Sequence, residues 1–150
     1  RDELRDRAKL TANSQLETYV QGRLGLIIDA TGRDYDVISR QYKMLTELGY
    51  DCYMLFVNTS LEVALERQKK RERAVPEYIV KKSWKGVQEN IGKFQSYFRP
   101  SNFIVVDNNN AGEDVFKKVS KRIRGLVKKK VTNPIAIQWI AMQMQSRRRK

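Results

Sequence analysis

The chain has 150 residues, of which 41% are apolar and 31% charged, enough for one domain with a real core and too short for two. Its longest apolar run is the six residues from Cys52 to Val57, far below the roughly 18 needed to cross a bilayer. With no histidine and one cysteine, a His/Cys zinc cluster, a Ser-His-Asp triad, a Cys-His pair and an internal disulfide are all excluded, leaving chemistry to Asp, Glu, Arg, Lys and the backbone.

Arg1 stands where a Met would begin a natural chain, so the start reads as cut. No basic-then-apolar leader is present, which predicts a cytoplasmic protein without a membrane partner. Leu4, Ala8, Ala12, Leu16, Tyr19 and Val20 recur at helical spacing, with Gly22 as the stop. The nearly continuous apolar run 24–29 then predicts a strand buried on both faces, ending in Ala30-Thr31-Gly32-Arg33. A second helix carries Val37, Ile38, Met44, Leu45 and Leu48 and closes at Gly49.

Residues 52–57 repeat the buried-strand signature. Thr59 with Glu62 forms a capping box that opens the next helix, and Pro76 is placed as the first residue of the one after. Val80, Trp84, Val87, Ile91, Phe94 and Phe98 line one face of that long helix at steps of four and three, so Trp84 and Phe94 read as core. Cys52 reads as a small apolar core residue.

A third strand is predicted at 103–107, followed by the polar loop Asn108-Asn109-Asn110-Ala111-Gly112 and a helix marked by Phe116, Val119, Ile123 and Leu126. Asn133-Pro134 opens a last helix with Ile137, Ile140, Ala141 and Met144 on one side and Trp139 near the edge of that face. Alternating strands and helices predict an α/β fold with a parallel sheet, the second and third strands being neighbours.

The net charge of +13 is unevenly placed: residues 1–116 hold 18 Lys/Arg against 17 Asp/Glu, and residues 117–150 hold 12 Lys/Arg and no acid. Lys117-Lys118, Lys121-Arg122, Lys128-Lys129-Lys130 and Arg147-Arg148-Arg149-Lys150 suit non-specific contact with nucleic-acid phosphates; the alternative is a solvated helix face with a frayed end.

Ligands of open parallel sheets bind beyond the carboxyl ends of the strands, which here are Asp29 to Arg33, Asn58-Thr59-Ser60 and Asp107-Asn108-Asn109. An Asp at a strand end, small residues and then Arg33 put an acceptor and a cation at one crevice edge, suited to a metal-bound or phosphorylated ligand; the alternative has Asp29 capping the turn and Arg33 pairing with Asp34 or Asp36. Arg67, Arg71 and Arg73 cluster ahead of Pro76, with Arg67 and Arg71 spaced to share a helix face, and an anion would relieve their repulsion. Glu66 and Glu72 offer the competing explanation as neutralising partners on an exposed helix end.

The ordered set Leu26-Ile27-Ile28-Asp29-Ala30-Thr31-Gly32-Arg33, Leu48-Gly49-Tyr50, Phe56-Val57-Asn58, Ala64-Leu65-Glu66-Arg67, Arg71-Glu72-Arg73, Val75-Pro76 and Trp84 resembles the zeta-toxin-like and phage-type P-loop kinases over about residues 1–110. The resemblance implies a three-layer α/β fold, a parallel sheet flanked by helices, in a domain spanning 1–130, with 131–150 as a C-terminal helix and basic tail. It implies an ATP- and Mg2+-dependent transfer of the γ-phosphoryl group to a nucleotide, a nucleic-acid end or a sugar nucleotide. It puts Asp29, Arg33, Arg67, Arg71 and Arg73 in catalytic positions, Thr31 and Arg33 at the acceptor, and Arg67, Asp107, Asn108 and Asn109 at the nucleotide. No G-x-x-x-x-G-K-[ST] loop occurs in these 150 residues. The chain is therefore expected to lack the strand and phosphate cradle of such a kinase, to be inactive alone, and to leave a strand edge open to a second copy.

Overall fold

A computed structural model describes residues 2–73, 75–110 and 112–148. Arg1, Ala111 and the Arg149-Lys150 end of the last basic cluster lie outside the described residues. The chain divides into two compact units, the first ending at Ala30 and the second beginning at Thr31.

The first unit holds helix α1, Asp2–Gln21. Gly22 follows it as expected, but the left-handed residue of the C-terminal turn is Arg23, at φ 55°, and the Leu24 amide donates to the Tyr19 carbonyl at 3.0 Å to close that turn. The run 24–29 does not form the expected strand: it takes no regular secondary structure, and Ile27 is fully exposed. An apolar run becomes a strand only when a neighbouring backbone takes its N–H and C=O groups, and among the described residues no strand pairs with it.

In the second unit, Asp34 accepts from the Val37 amide at 3.3 Å and caps α2, Tyr35–Glu47. Gly49 ends that helix at φ 101°, a conformation that costs glycine little. Strand β1 is Met54–Asn58, two residues later than expected at its start, because Cys52 and Tyr53 lie before the ladder. Helix α3 is Leu61–Lys69, capped by Ser60 rather than Thr59: the Ser60 hydroxyl accepts from the Val63 amide at 3.3 Å. Helix α4 is Glu77–Phe98, with Pro76 one position outside it as the cap. A short 3-10 turn, Pro100–Asn102, leads into β2, Phe103–Asp107, at the expected bounds. Helices α5, Glu113–Val127, and α6, Pro134–Arg148, complete the chain.

β1 and β2 form a parallel two-stranded sheet in register from Met54 opposite Phe103 to Asn58 opposite Asp107. Side chains alternate across a strand, so Phe56 turns to the core while Leu55 and Val57 are exposed on the other face. Phe56, Phe94, Phe98 and Phe103 make the core, with Tyr35, Ile38, Tyr42, Val87, Ile91, Tyr97 and Cys52 packed around it. The α4 stripe thus delivers Phe94 and Phe98 as expected, and Phe94 is fully buried. Tilted and edge-on contacts tie these rings together, such as Tyr42 to Phe98 at 4.7 Å between centroids, adding about 0.5–1.5 kcal/mol per pair beyond area burial. Among the described residues no helix is long and apolar enough to cross a membrane.

Candidate functional site at the carboxyl ends of the strands

The two strands finish side by side at Asn58 and Asp107, and the Asn108 amide donates to the Asn58 carbonyl at 2.8 Å, carrying the ladder one step further. The chain then turns on Asp107. Its Oδ1 accepts from both the backbone amide (2.9 Å) and the side-chain amide (2.8 Å) of Asn109, the local bonding that makes Asp and Asn favoured turn residues. With its Nδ2 fixed, Asn109 aims Oδ1 at the Ser60 amide, 2.6 Å away, and its backbone carbonyl accepts from Arg67 Nη2 at 3.0 Å. Asn109 therefore joins the end of β2, the cap of α3 and the half-buried guanidinium on the last turn of α3.

Helix α4 holds the same region from a second side. Trp84 Nε1 donates to the Thr59 carbonyl at 2.8 Å, and Gln88 Nε2 to Asn58 Oδ1 at 2.9 Å. Asn90, buried at 6% exposure, donates from Nδ2 to the carbonyls of Arg33 (2.9 Å) and Gly32 (3.3 Å), and its Oδ1 accepts from Lys93 Nζ at 3.3 Å. Gly32 adopts φ 71°, which favours glycine, and Gly86 makes room for Arg33, since a Cβ there would meet Arg33 Cγ at 3.1 Å.

Of the sequence candidates, Arg67, Asp107, Asn108 and Asn109 are brought into one bonded group with Asn58 and Ser60. Arg33 is fixed through its backbone by Asn90, with its side chain exposed, as is that of Thr31. Asp29 belongs to the first unit, exposed on the irregular segment that follows α1. Arg71 and Arg73 do not continue the face of Arg67, because α3 ends at Lys69. They lie exposed on the bend that follows, where the Arg71 amide donates to the Gln68 carbonyl at 3.2 Å and the Arg73 carbonyl accepts from Gln68 Nε2 at 3.5 Å. Glu66 pairs with Lys70 at 2.6 Å instead of with an arginine, and that lysine holds its carboxyl below the usual range.

Sequence reasoning missed Gln88 and Asn90 and counted Trp84 only as core. The available signal was the interruption of an apolar helix face by side chains that must find partners when covered. Cys52 sits at the opposite end of β1, where burial, and then Asp51, push its thiol up to about 11. A thiol so held is protonated and inert at neutral pH. Among the described residues no group of three or more acidic or Cys side chains could hold a metal ion.

The profile of a family described as an AAA domain matches residues 1–94. The matched stretch takes in the Thr31 to Arg33 turn, the end of β1, Arg67, Gln88 and Asn90, and stops before β2. No curated protein and no solved structure matches the chain.

Proposed function

Because the chain belongs to the AAA domain family, matched over residues 1–94, and that family is at the coarse level P-loop, kinase-like and nucleotide-binding, we propose that it is part of an ATP-dependent phosphotransferase of the zeta-toxin-like and phage-type kind. In this reading the two-stranded sheet is the edge of a three-layer parallel fold. The γ-phosphoryl group passes to a nucleotide, a nucleic-acid end or a sugar nucleotide.

ATP and Mg2+ are the reagents of such a class, and when bound they supply the transferable phosphoryl group and the charge that offsets its oxygens. The residues of this chain do not fit the triphosphate and the metal. The sequence has no glycine-rich loop with Lys and Ser/Thr to cradle phosphates, and no described acidic cluster to hold the ion. They fit a narrower task. Asp107 and Asn109 shape a turn at the strand ends, where a nucleotide base would lie in an open parallel sheet. Arg67, half-buried and held by the Asn109 carbonyl, is a preoriented cation at its rim. Arg33 stands on the Gly32 turn fixed by Asn90, the place of an acceptor-side cation, and Arg71 and Arg73 are the exposed charges of a lid.

The observation that carries this reading is the unbroken bonding from Ser60 through Asn109 to Arg67, which holds a cation and polar groups of two loops at one strand end. Titration of the isotope-labelled 150-residue chain with ATP tests it. Amide shifts are expected at 58–60, Arg67 and 107–109, with weak affinity and no Mg2+-dependent phosphotransfer. Shifts absent from those positions would overturn the nucleotide assignment, and clear turnover would overturn the inference that the chain is inactive alone.

A further inference from the structure

We infer that the outward ridge of α5 is a docking surface for the sugar-phosphate backbone of a nucleic-acid strand. Lys117, Lys121, Arg124 and Lys128 follow one another at intervals of four, three and four residues, which puts all four on one side of the helix. Over the eleven helical steps from Lys117 to Lys128 the ridge is about 16 Å long, enough to follow several phosphates of one strand. Lys121, Arg124, Gly125 and Lys128 line a shallow groove of about 480 Å³. Gly125 leaves its floor bare, with nothing within 4 Å of where a Cβ would stand.

The charge of this ridge is unbalanced. Glu113 pairs with Lys117 at 2.9 Å, and no Asp or Glu follows Asp114 in the sequence to serve the others. Like charges at such spacing destabilise a helix, and a polyanion lying in the groove would reverse that sign for three cations at once. The composition favours nucleic acid over a lipid surface. The ridge itself carries no apolar side chain, Val115, Val119 and Leu126 standing half-buried on the other side of the helix, so what it offers a partner is a row of charge, which suits successive phosphates rather than acyl chains.

The ridge begins where the short loop after the Asp107 to Asn109 turn enters α5, so a strand along it would lead toward the strand ends. The inference does not depend on phosphotransfer, and a failed ATP titration leaves it standing.

The test is fluorescence anisotropy of a labelled 20-nucleotide oligo-dT with the intact chain across a salt series. The three cations without an acid partner, at about 0.7 per phosphate contact on a single strand, predict a slope of log affinity against log salt of about −2, to which Lys117 adds only by leaving Glu113. Lys121→Glu, Arg124→Glu and Lys128→Glu together are expected to weaken binding at least tenfold at low salt. Replacement of the same three by Gln, which keeps helix propensity, is expected to reduce the slope by about 2, at 0.7 per lost contact, with an unchanged circular dichroism spectrum. Arg147→Ala with Arg148→Ala is expected to cost less than either triple change. Unchanged affinity and slope in the Gln variant would overturn the proposal, as would a loss confined to the Arg147/Arg148 variant. Binding to phosphatidylserine vesicles without binding to the oligonucleotide would overturn it in favour of a lipid surface.

Discussion

Asn90 makes three of the four hydrogen bonds open to its side chain, two of them to one turn. Its side-chain nitrogen serves the Gly32 and Arg33 carbonyls and its oxygen is taken by Lys93. Asn90→Ala leaves those partly buried carbonyls without this donor and is expected to cost about 1–3 kcal/mol. Asn90→Asp is expected to cost more, although it is the same size: a carboxylate only accepts, and would face two carbonyl oxygens while losing hydration. Urea unfolding midpoints check the order, and an Asp variant as stable as the parent would show that the turn is not held by this amide. Residues of this kind are hard to see in a sequence. Asn90 lies beside Ile91 and between Val87 and Phe94, and nothing in the spacing says which side of the stripe is covered. Asn58, Thr59, Ser60, Asp107, Asn108 and Asn109 were legible because they follow apolar strands directly. The bond from Arg67 to Asn109 joins residues 42 apart and follows from the strand pairing, not from any local pattern.

Arg99 carries the clearest backbone strain among the elements, at φ 63° and ψ 153°. Pro100 requires the residue before it to take an extended ψ, while the sharp exit from α4 demands the positive φ. Their combination is a region that only glycine enters cheaply and that costs other residues about 1–3 kcal/mol. Arg99→Gly is therefore expected to stabilise the fold by about 1 kcal/mol, raising Tm by roughly 2–4 °C for a chain of this size. A calorimetric scan decides it, and a lower Tm would mean that the arginine side chain contributes more than the strain removes. Element bounds were legible where the cue was local and complete. The long stripe of α4 and the apolar run of β2 have such cues, as does the Asn133-Pro134 start of α6, where Asn133 Oδ1 accepts from the Ile135 amide at 3.0 Å. The run 24–29 has the same composition as a buried strand, yet strand formation is a property of two segments, and composition describes one. α3 failed at its far end for a different reason: beyond Lys69 the chain offers charges but no apolar residue to hold another turn.

At the scale of the second unit, the C-terminal segment is fastened to the turn between α2 and β1, the opposite end of the sheet from the candidate site. Asp51 accepts from the Thr132 amide at 2.8 Å and from its hydroxyl at 2.9 Å. Asn133 Nδ2 donates to the Thr46 carbonyl at 2.9 Å and reaches the Tyr50 carbonyl at 3.5 Å. Gly49 completes the fastening by lacking a side chain, since a Cβ there would lie 3.0 Å from the Ala136 amide nitrogen. None of these groups belongs to the Phe56, Phe94, Phe98 and Phe103 core, so the latch and the core can be loosened separately. Asp51→Ala removes both acceptors of Thr132 and is expected to lower global stability by no more than about 1–2 kcal/mol. Its larger effect is expected in local opening, which governs proteolysis when the chain recloses faster than it is cut. Lys128, Lys129 and Lys130 lie immediately before the latch, so limited trypsin digestion should cleave there several-fold faster in the Asp51→Ala protein, while fragments arising within 54–107 appear at the parent rate. Gly49→Ala adds strain at φ 101° as well as the clash with Ala136 and should speed the same cleavage further. Equal cleavage rates in all three proteins would mean that the segment from Thr132 onward is held by α6 itself and that Asp51 merely caps its own turn.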